Sequence, residues 1–310
     1  MEFAHVSVML SEVIDSLAVC ENGIYADGTL GGGGHTNGIL SAQNDSRVIG
    51  IDRDTDAINA AKSRLNCYGE RFIAVHDNFS NIKNILKNLN IDSLDGAVLD
   101  LGVSSYQLDE GARGFSYMHD APLDMRMNRE DKLSAYQVIN CYTQQELTDI
   151  FYKYGEEKWS KRIAEFICAQ RESKPVETTG QLVDIIEGAI PKAARADGGH
   201  PAKRVFQAVR IEVNGELKIL ENSVRDFFES LKSGGRLAII TFHSLEDRIV
   251  KNVFKELCTA CICPKEFPVC VCGHKAEGSL VSKKPILPSK EELEVNSRSR
   301  SAKLRVIEKL

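Results

Sequence analysis

The stretch from Ile24 to Thr36 restricts the folds open to this chain more than any other. Ile24-Tyr25-Ala26-Asp27 reads as a short apolar strand that runs straight into Gly28-Thr29-Leu30-Gly31-Gly32-Gly33-Gly34, and His35 to Ser41 can begin a helix. Four consecutive glycines permit positive φ and let the backbone approach a ligand where a Cβ would collide. The free N–H groups of the helix start would face whatever sits in the loop. A second apolar strand, Val48-Ile49-Gly50-Ile51-Asp52, ends in an acid about 20 residues on, the spacing at which such folds hold a ribose. Glycine turn and strand-end acid together predict a nucleoside-cofactor site on an α/β sheet.

Two familiar loops fail letter by letter. A dinucleotide fingerprint needs G-x-G-x-x-G, but from Gly31 its third glycine falls on Thr36, and from Gly32 on Asn37. A phosphate-gripping loop needs Gly-Lys-Ser/Thr, and Gly34-His35-Thr36 has no lysine. A nucleoside without phosphates fits better, and S-adenosylmethionine is the commonest. The competing reading, a glycine-rich hairpin without function, leaves Asp52 unexplained.

The first hundred residues alternate strand and helix, as a parallel sheet requires. Strands are expected at 23–27, 48–52, 72–76 and 96–101, with helices at 36–42, 56–65 and 82–89 between them. A fifth strand is expected at 236–242 and a last one at 303–307. The long gap before the fifth reads as helices at 143–152, 159–170, 179–190, 202–214 and 216–231. Thr143-Gln144-Gln145-Glu146 is a capping box, and Thr178-Thr179-Gly180-Gln181 a weaker one. Residues 108–212 thus read as a helical domain inserted between 1–107 and 213–310 of the main fold. Asp27, Asp52, His76 to Phe79, Asp100 and Phe242-His243 all fall at strand ends, where open parallel sheets bind ligands.

The N-terminus lacks a signal peptide's basic and apolar regions, and the longest apolar run, 237–242, is far too short to span a bilayer. A cytoplasmic protein is expected. Net charge is −5, so a nucleic-acid partner would need a local basic patch. Of nine cysteines, Cys20, Cys67, Cys141 and Cys168 lie among apolar residues and are expected as small buried hydrophobes. Cys258, Cys261, Cys263, Cys270 and Cys272 crowd together with His274 just beyond. In a reducing compartment such density points to metal over disulfides. Cys258-x-x-Cys261 has a usual zinc-pair spacing, while the two Cys-x-Cys pairs are tighter. Bound zinc and a reduced cysteine-rich loop both stay open here.

Seven blocks then stand in order: residues 24–36, 50–54, 100–109, 122–127, 200–208, 242–248 and 297–305. Over essentially its whole length the chain closely resembles the bacterial small-subunit ribosomal RNA cytosine-N4 methyltransferases. The resemblance implies a Rossmann-like class I methyltransferase sheet with an inserted all-helical domain. It also implies S-adenosylmethionine as donor and a cytidine in the decoding region of 16S ribosomal RNA, on the small ribosomal subunit, as acceptor. Carried over by position, the cofactor residues are Gly33, Gly34, His35, Asp52, Phe79, Asp100 and Gln107. Departures are small: Leu30 and Gly32 in the loop, and Ser297 where many members have proline. The cysteine cluster occurs in only part of the family, so metal is not essential to the reaction.

Roles follow from the donor's chemistry. Asp52 can accept both ribose hydroxyls, Phe79 offers a face to adenine, and Asp100 or Gln107 would meet the methionine end. Backbone N–H groups at Gly33 to His35 could serve the carboxylate. An exocyclic cytosine amine is a poor nucleophile, and its N–H needs an acceptor. DNA amino-methyltransferases carry Asp/Asn/Ser-Pro-Pro-aromatic after the fourth strand, whereas this chain has Asp100-Leu101-Gly102-Val103. Ser104 and Asp109 are the catalytic candidates, though either could simply stabilise the loop. Lys203, Arg204 and Arg210 are expected to contribute to a basic RNA-facing patch. A methyltransferase for another nucleic acid and a non-catalytic ribosome-assembly factor are the rival readings.

Overall fold

The computed structural model describes residues 7–195, 199–264, 267 and 269–310, except the side chains of Ser105 and Asp109. The chain forms two compact units, Met1–Gly102 with Leu217–Leu310, and Val103–Glu216.

The first unit is built on seven strands: β1 (Ile24–Asp27), β2 (Arg47–Asp52), β3 (Phe72–His76), β4 (Leu94–Asp100), β5 (Leu231–Thr241), β6 (Gly278–Leu280) and β7 (Lys303–Lys309). Their order is β3-β2-β1-β4-β5-β7-β6. β1 to β5 run parallel, and β7 is antiparallel to both neighbours. The carboxyl ends of β1 to β5 therefore lie along one edge. Apolar runs without polar alternation mark strands covered on both faces, and β5 shows this directly. Leu237 and Ile239 pack with Phe227, Phe228 and Phe254 on one face, while Ala238 and Ile240 pack with Val13, Ile39 and Leu40 on the other.

Two of the elements that differ from the sequence expectation bear on the site. β5 begins at Leu231, ahead of the expected Arg236, because the register shifts between Leu94 and Gly96. Gly234, at φ +81°, lies in this irregular stretch, as bulges favour. The helix Ser244–Leu257 was not anticipated, although His243 and Glu246 form a capping box there and Val250, Val253, Phe254 and Leu257 are buried along it.

The second unit is helical, and its principal helices are Ala135–Cys141, Gln144–Gly155, Ser160–Ser173, Thr179–Ala189 and Lys203–Asn214. Both expected capping boxes are present, at Thr143 with Glu146 and at Thr178 with Gln181. Its buried side chains include Leu147, Phe151, Ile163, Ile167, Leu182, Ile186, Phe206 and Val209. Among the described residues, no helix is long and apolar enough to cross a membrane.

Candidate active site

Three strand-end acids line the carboxyl edge of the sheet, and their surroundings differ. Asp27, at the end of β1, is buried; its carboxylate accepts from Thr36 Oγ1 at 2.8 Å and from the Thr29 N–H at 3.2 Å. Burial raises its pKa, and nearby His35 opposes the rise. Asp52, ending β2, accepts the Gly31 N–H at 2.8 Å on one oxygen and the Asp54 N–H at 2.9 Å on the other. Burial pushes it up to about 6 despite these donors. Asp52 thus shapes the glycine loop and keeps further lone pairs on both oxygens.

Asp100, ending β4, is the exception. Its backbone N–H donates to Thr29 Oγ1 at 2.6 Å, but its side-chain Oδ1 is buried with no hydrogen-bond partner. Oδ2 stands 3.9 Å from His35 Nδ1, beyond hydrogen-bonding distance. Burial pushes this carboxyl up to about 7. A buried acceptor without a donor is costly, and a cationic ligand group would relieve it. The α-ammonium of S-adenosylmethionine is such a group.

The glycine loop is shaped mainly by the protein itself. Gly33 sits at φ +74° before the helix Gly34–Ala42, and a Cβ there would lie 2.8 Å from Leu65 Cδ1. A Cβ on Gly34 would stand 1.7 Å from Ser7 Oγ, whereas one on Gly32 would meet open space. The expectation that all four glycines clear room for a ligand is corrected accordingly: Gly33 and Gly34 make room for Leu65 and Ser7. His35 is buried (4 % exposed), with its Nε2 held by the Val8 carbonyl at 2.9 Å. That bond directs the other ring nitrogen toward Asp100.

Phe79 is half-buried against the core beside β3, at the head of a turn in which Asn78 accepts the Ser80 N–H. At the end of β5, the Glu246 carboxylate accepts the Phe242 and His243 N–H groups at 3.0 and 3.3 Å. His243 Nε2 lies 3.1 Å from the other Glu246 oxygen.

Within the second unit, Ser104 caps the helix Ser105–Asp109. Its Oγ accepts the Gln107 N–H at 3.2 Å, and Gln107 Oε1 accepts the Ser104 N–H at 3.2 Å. Ser104 and Gln107 thus each have a local structural task. The Asp109 side chain lies outside the described residues.

The expected basic face is corrected. Arg210 makes a two-pronged ion pair with Glu216 at 3.0 and 2.9 Å, because Gly215 at φ +62° turns the chain back after the helix. Gln207 donates to the Tyr154 carbonyl. Lys203 and Arg204 stay exposed, and Arg204 reaches the Glu156 carbonyl at 2.9 Å. Lys153, Lys158 and Lys161 are exposed around that same turn, with Tyr152 71 % exposed beside them. Single lysines carry no motif, so the letters alone do not mark them.

Of the clustered cysteines, Cys261, Cys263, Cys270 and Cys272 bring their sulfurs within 4.8 Å of one another. Cys258, which ends the helix Ser244–Leu257 and packs on the core, is not among them, nor is His274. Three of the scattered cysteines expected to be buried, Cys20, Cys67 and Cys141, are exposed, and Cys168 is intermediate.

A seven-stranded sheet in this order, with one antiparallel strand and acids at its carboxyl edge, defines a class I methyltransferase. The MraW methylase family matches residues 2–310, and the chain belongs to it. Proteins called ribosomal RNA small subunit methyltransferase H from two Clostridium botulinum strains, Loch Maree and Kyoto, are each 60 % identical over 311 residues, covering all of both chains. Solved structures align more distantly: an rRNA methylase from Streptococcus thermophilus is 12 % identical over 99 % of each chain, with a TM-score of 0.45. The protein is therefore an S-adenosylmethionine-dependent methyltransferase.

Proposed function

We propose that this protein methylates the exocyclic N4 of a cytidine in the decoding region of 16S ribosomal RNA, acting on the small ribosomal subunit in the cytoplasm. The observation that carries this reading is the 60 % identity, over full length, to ribosomal RNA small subunit methyltransferases.

S-adenosylmethionine supplies a methyl group on an electrophilic sulfonium. Asp52 accepts ribose hydroxyls with the lone pairs left after Gly31 and Asp54. Phe79 offers its open face to adenine. Asp100 Oδ1, without a partner of its own, accepts from the α-ammonium. Gly33, Gly34 and His35 line the loop, and Gln107 is assigned to the methionine end by the family resemblance. The cytosine amine lone pair is delocalised into the ring, so an acceptor must take its N–H while nitrogen rehybridises. Ser104 and Asp109 are the proposed acceptors. Positioning of this kind contributes about 7–11 kcal/mol in the best cases.

Lys153, Lys158, Lys161, Lys203 and Arg204 form the proposed phosphate-binding surface, with Tyr152 available for base stacking. The helical unit is thereby the RNA-holding part of the molecule. The target base must leave its stack to reach the site. The thiols of the cysteine-rich loop take no part in methyl transfer. Mapping methylated nucleotides on 16S ribosomal RNA from cells with and without this protein tests the reading; an unchanged decoding-region cytidine would overturn it.

A further inference from the structure

The segment from Cys258 to Glu277 joins the helix Ser244–Leu257 to β6, and its described residues include neither helix nor strand. None of them is buried. Its apolar side chains point away from any core: Ile262 is 66 % exposed, Val269 69 % and Val271 72 %. Loops of this length without secondary structure are uncommon in compact domains and usually serve a function or act as linkers. Hydrophobic burial does not hold this one.

Its sulfurs converge instead. Cys261 and Cys270 Sγ are 3.4 Å apart, Cys270 and Cys272 3.5 Å, Cys261 and Cys272 3.9 Å, and Cys263 and Cys270 4.0 Å. Four sulfurs about 2.3 Å from one tetrahedral zinc ion would be separated by about 3.8 Å along each edge. The spacing is that of a single-ion cage. Several irons in a cluster would spread the cysteines over different metal atoms and set them farther apart. A disulfide would single out one pair, whereas Cys270 is near three partners at once. A backbone donor adds to the arrangement: the Val271 N–H points at Cys263 Sγ at 3.4 Å. Amides aimed at sulfur favour thiolate and support the ligands from behind.

We propose that Cys261, Cys263, Cys270 and Cys272 bind one structural zinc ion that fixes this loop where no hydrophobic core does. The four thiols enter as thiolates and their protons go to solvent, so no oxidant or reductant is involved. Cys258 and His274 lie outside the ligand set.

Metal analysis of the full chain, purified without chelators from cells supplied with zinc, tests this. The expected content is about one zinc per chain, falling at least about tenfold in the double variant Cys263→Ser/Cys270→Ser. Cys258→Ser and His274→Ala should keep the full content. Because the double variant could misfold, the wild-type protein supplies a second measurement. Mercurial release of zinc should open the 258–277 segment to protease while S-adenosylmethionine affinity stays within about twofold. No metal in the wild type, iron in place of zinc, loss of zinc from Cys258→Ser or His274→Ala, or protease resistance unchanged by metal release would each overturn the proposal.

Discussion

The carboxyl edge of the sheet and the cysteine-rich loop both gather ligand-bearing side chains, but in opposite ways. At the sheet edge, strands buried on both faces hold Asp27, Asp52 and Asp100 in place, and neighbouring donors reach both oxygens of Asp27 and both of Asp52. One buried carboxylate oxygen among the described residues, Asp100 Oδ1, is left without a partner. The loop has no buried residue among those described, and its ligands are near neighbours in the chain. In the first region the core builds the site before a ligand arrives. In the second, the proposed zinc ion would take the place of a core. Losing a ligand should therefore affect function in one region and local folding in the other.

The largest expected effect is at Asp100. Removing the partner of a buried charge costs about 3 kcal/mol or more, so Asp100→Ala should weaken S-adenosylmethionine binding by about 150-fold or more. Calorimetry on a variant that melts normally measures it, and unchanged affinity would put the ammonium elsewhere. Asp52→Ala comes next. Charge-assisted hydrogen bonds are worth about 1.5–3 kcal/mol, so a loss of about 10- to 150-fold is expected. Asp52 also holds the Gly31 N–H, so this variant should quicken amide exchange in the glycine loop, and Asp100→Ala should not.

A smaller effect follows from pH. The Asp100 carboxyl, pushed up to about 7 by burial, sits above its unfolded value of about 3.9. The folded protein therefore holds a proton that the unfolded chain releases. The stabilisation this gives is complete below about pH 4 and is lost as pH rises through about 7. Cofactor binding has the opposite sign. An ammonium partner favours the ionised carboxylate, so binding releases a proton, and affinity should fall about tenfold per unit below pH 7. Calorimetry in buffers of different protonation enthalpy reads the proton directly. In Asp100→Asn this dependence should flatten, leaving a weaker limb from Asp52 near 6.

The smallest effect concerns the basic surface. Replacing Lys203 and Arg204 by alanine should lower the slope of log affinity for RNA against log salt by about 1.4–1.8 without changing S-adenosylmethionine affinity. An unchanged slope would remove these two residues from the RNA surface.

Much of this architecture was legible in the letters. The strand-end acids, the glycine turn and both threonine capping boxes follow from local chemistry, and local chemistry survives folding. What escaped depended on where the chain returns. Arg210 reads as an exposed cation until Gly215 turns the backbone and brings Glu216 to it. Cys258 has the better zinc spacing on paper, but the end of a helix keeps it against the core. Gly34 looks like ligand clearance because Ser7, the residue it accommodates, is far away in sequence. The helix Ser244–Leu257 was readable from its capping box and apolar spacing.

The pairing of β4 with β5 also bears on how the chain folds in time. Val98 and Ala238 face each other in that ladder, 140 positions apart in the chain. Closing so long a loop is slow, and each halving of its length lowers the entropic cost by about 0.6 kcal/mol. If Val103–Glu216 collapses first, the flexible connection shortens to about 26 residues and closure becomes easier by about 1.5 kcal/mol. Refolding followed by pulse-labelled amide exchange should thus protect Gln144–Gly155 and Lys203–Asn214 before the central strands. A ribosome delivers the chain in a compatible order, since β5 emerges only after the whole helical unit is made.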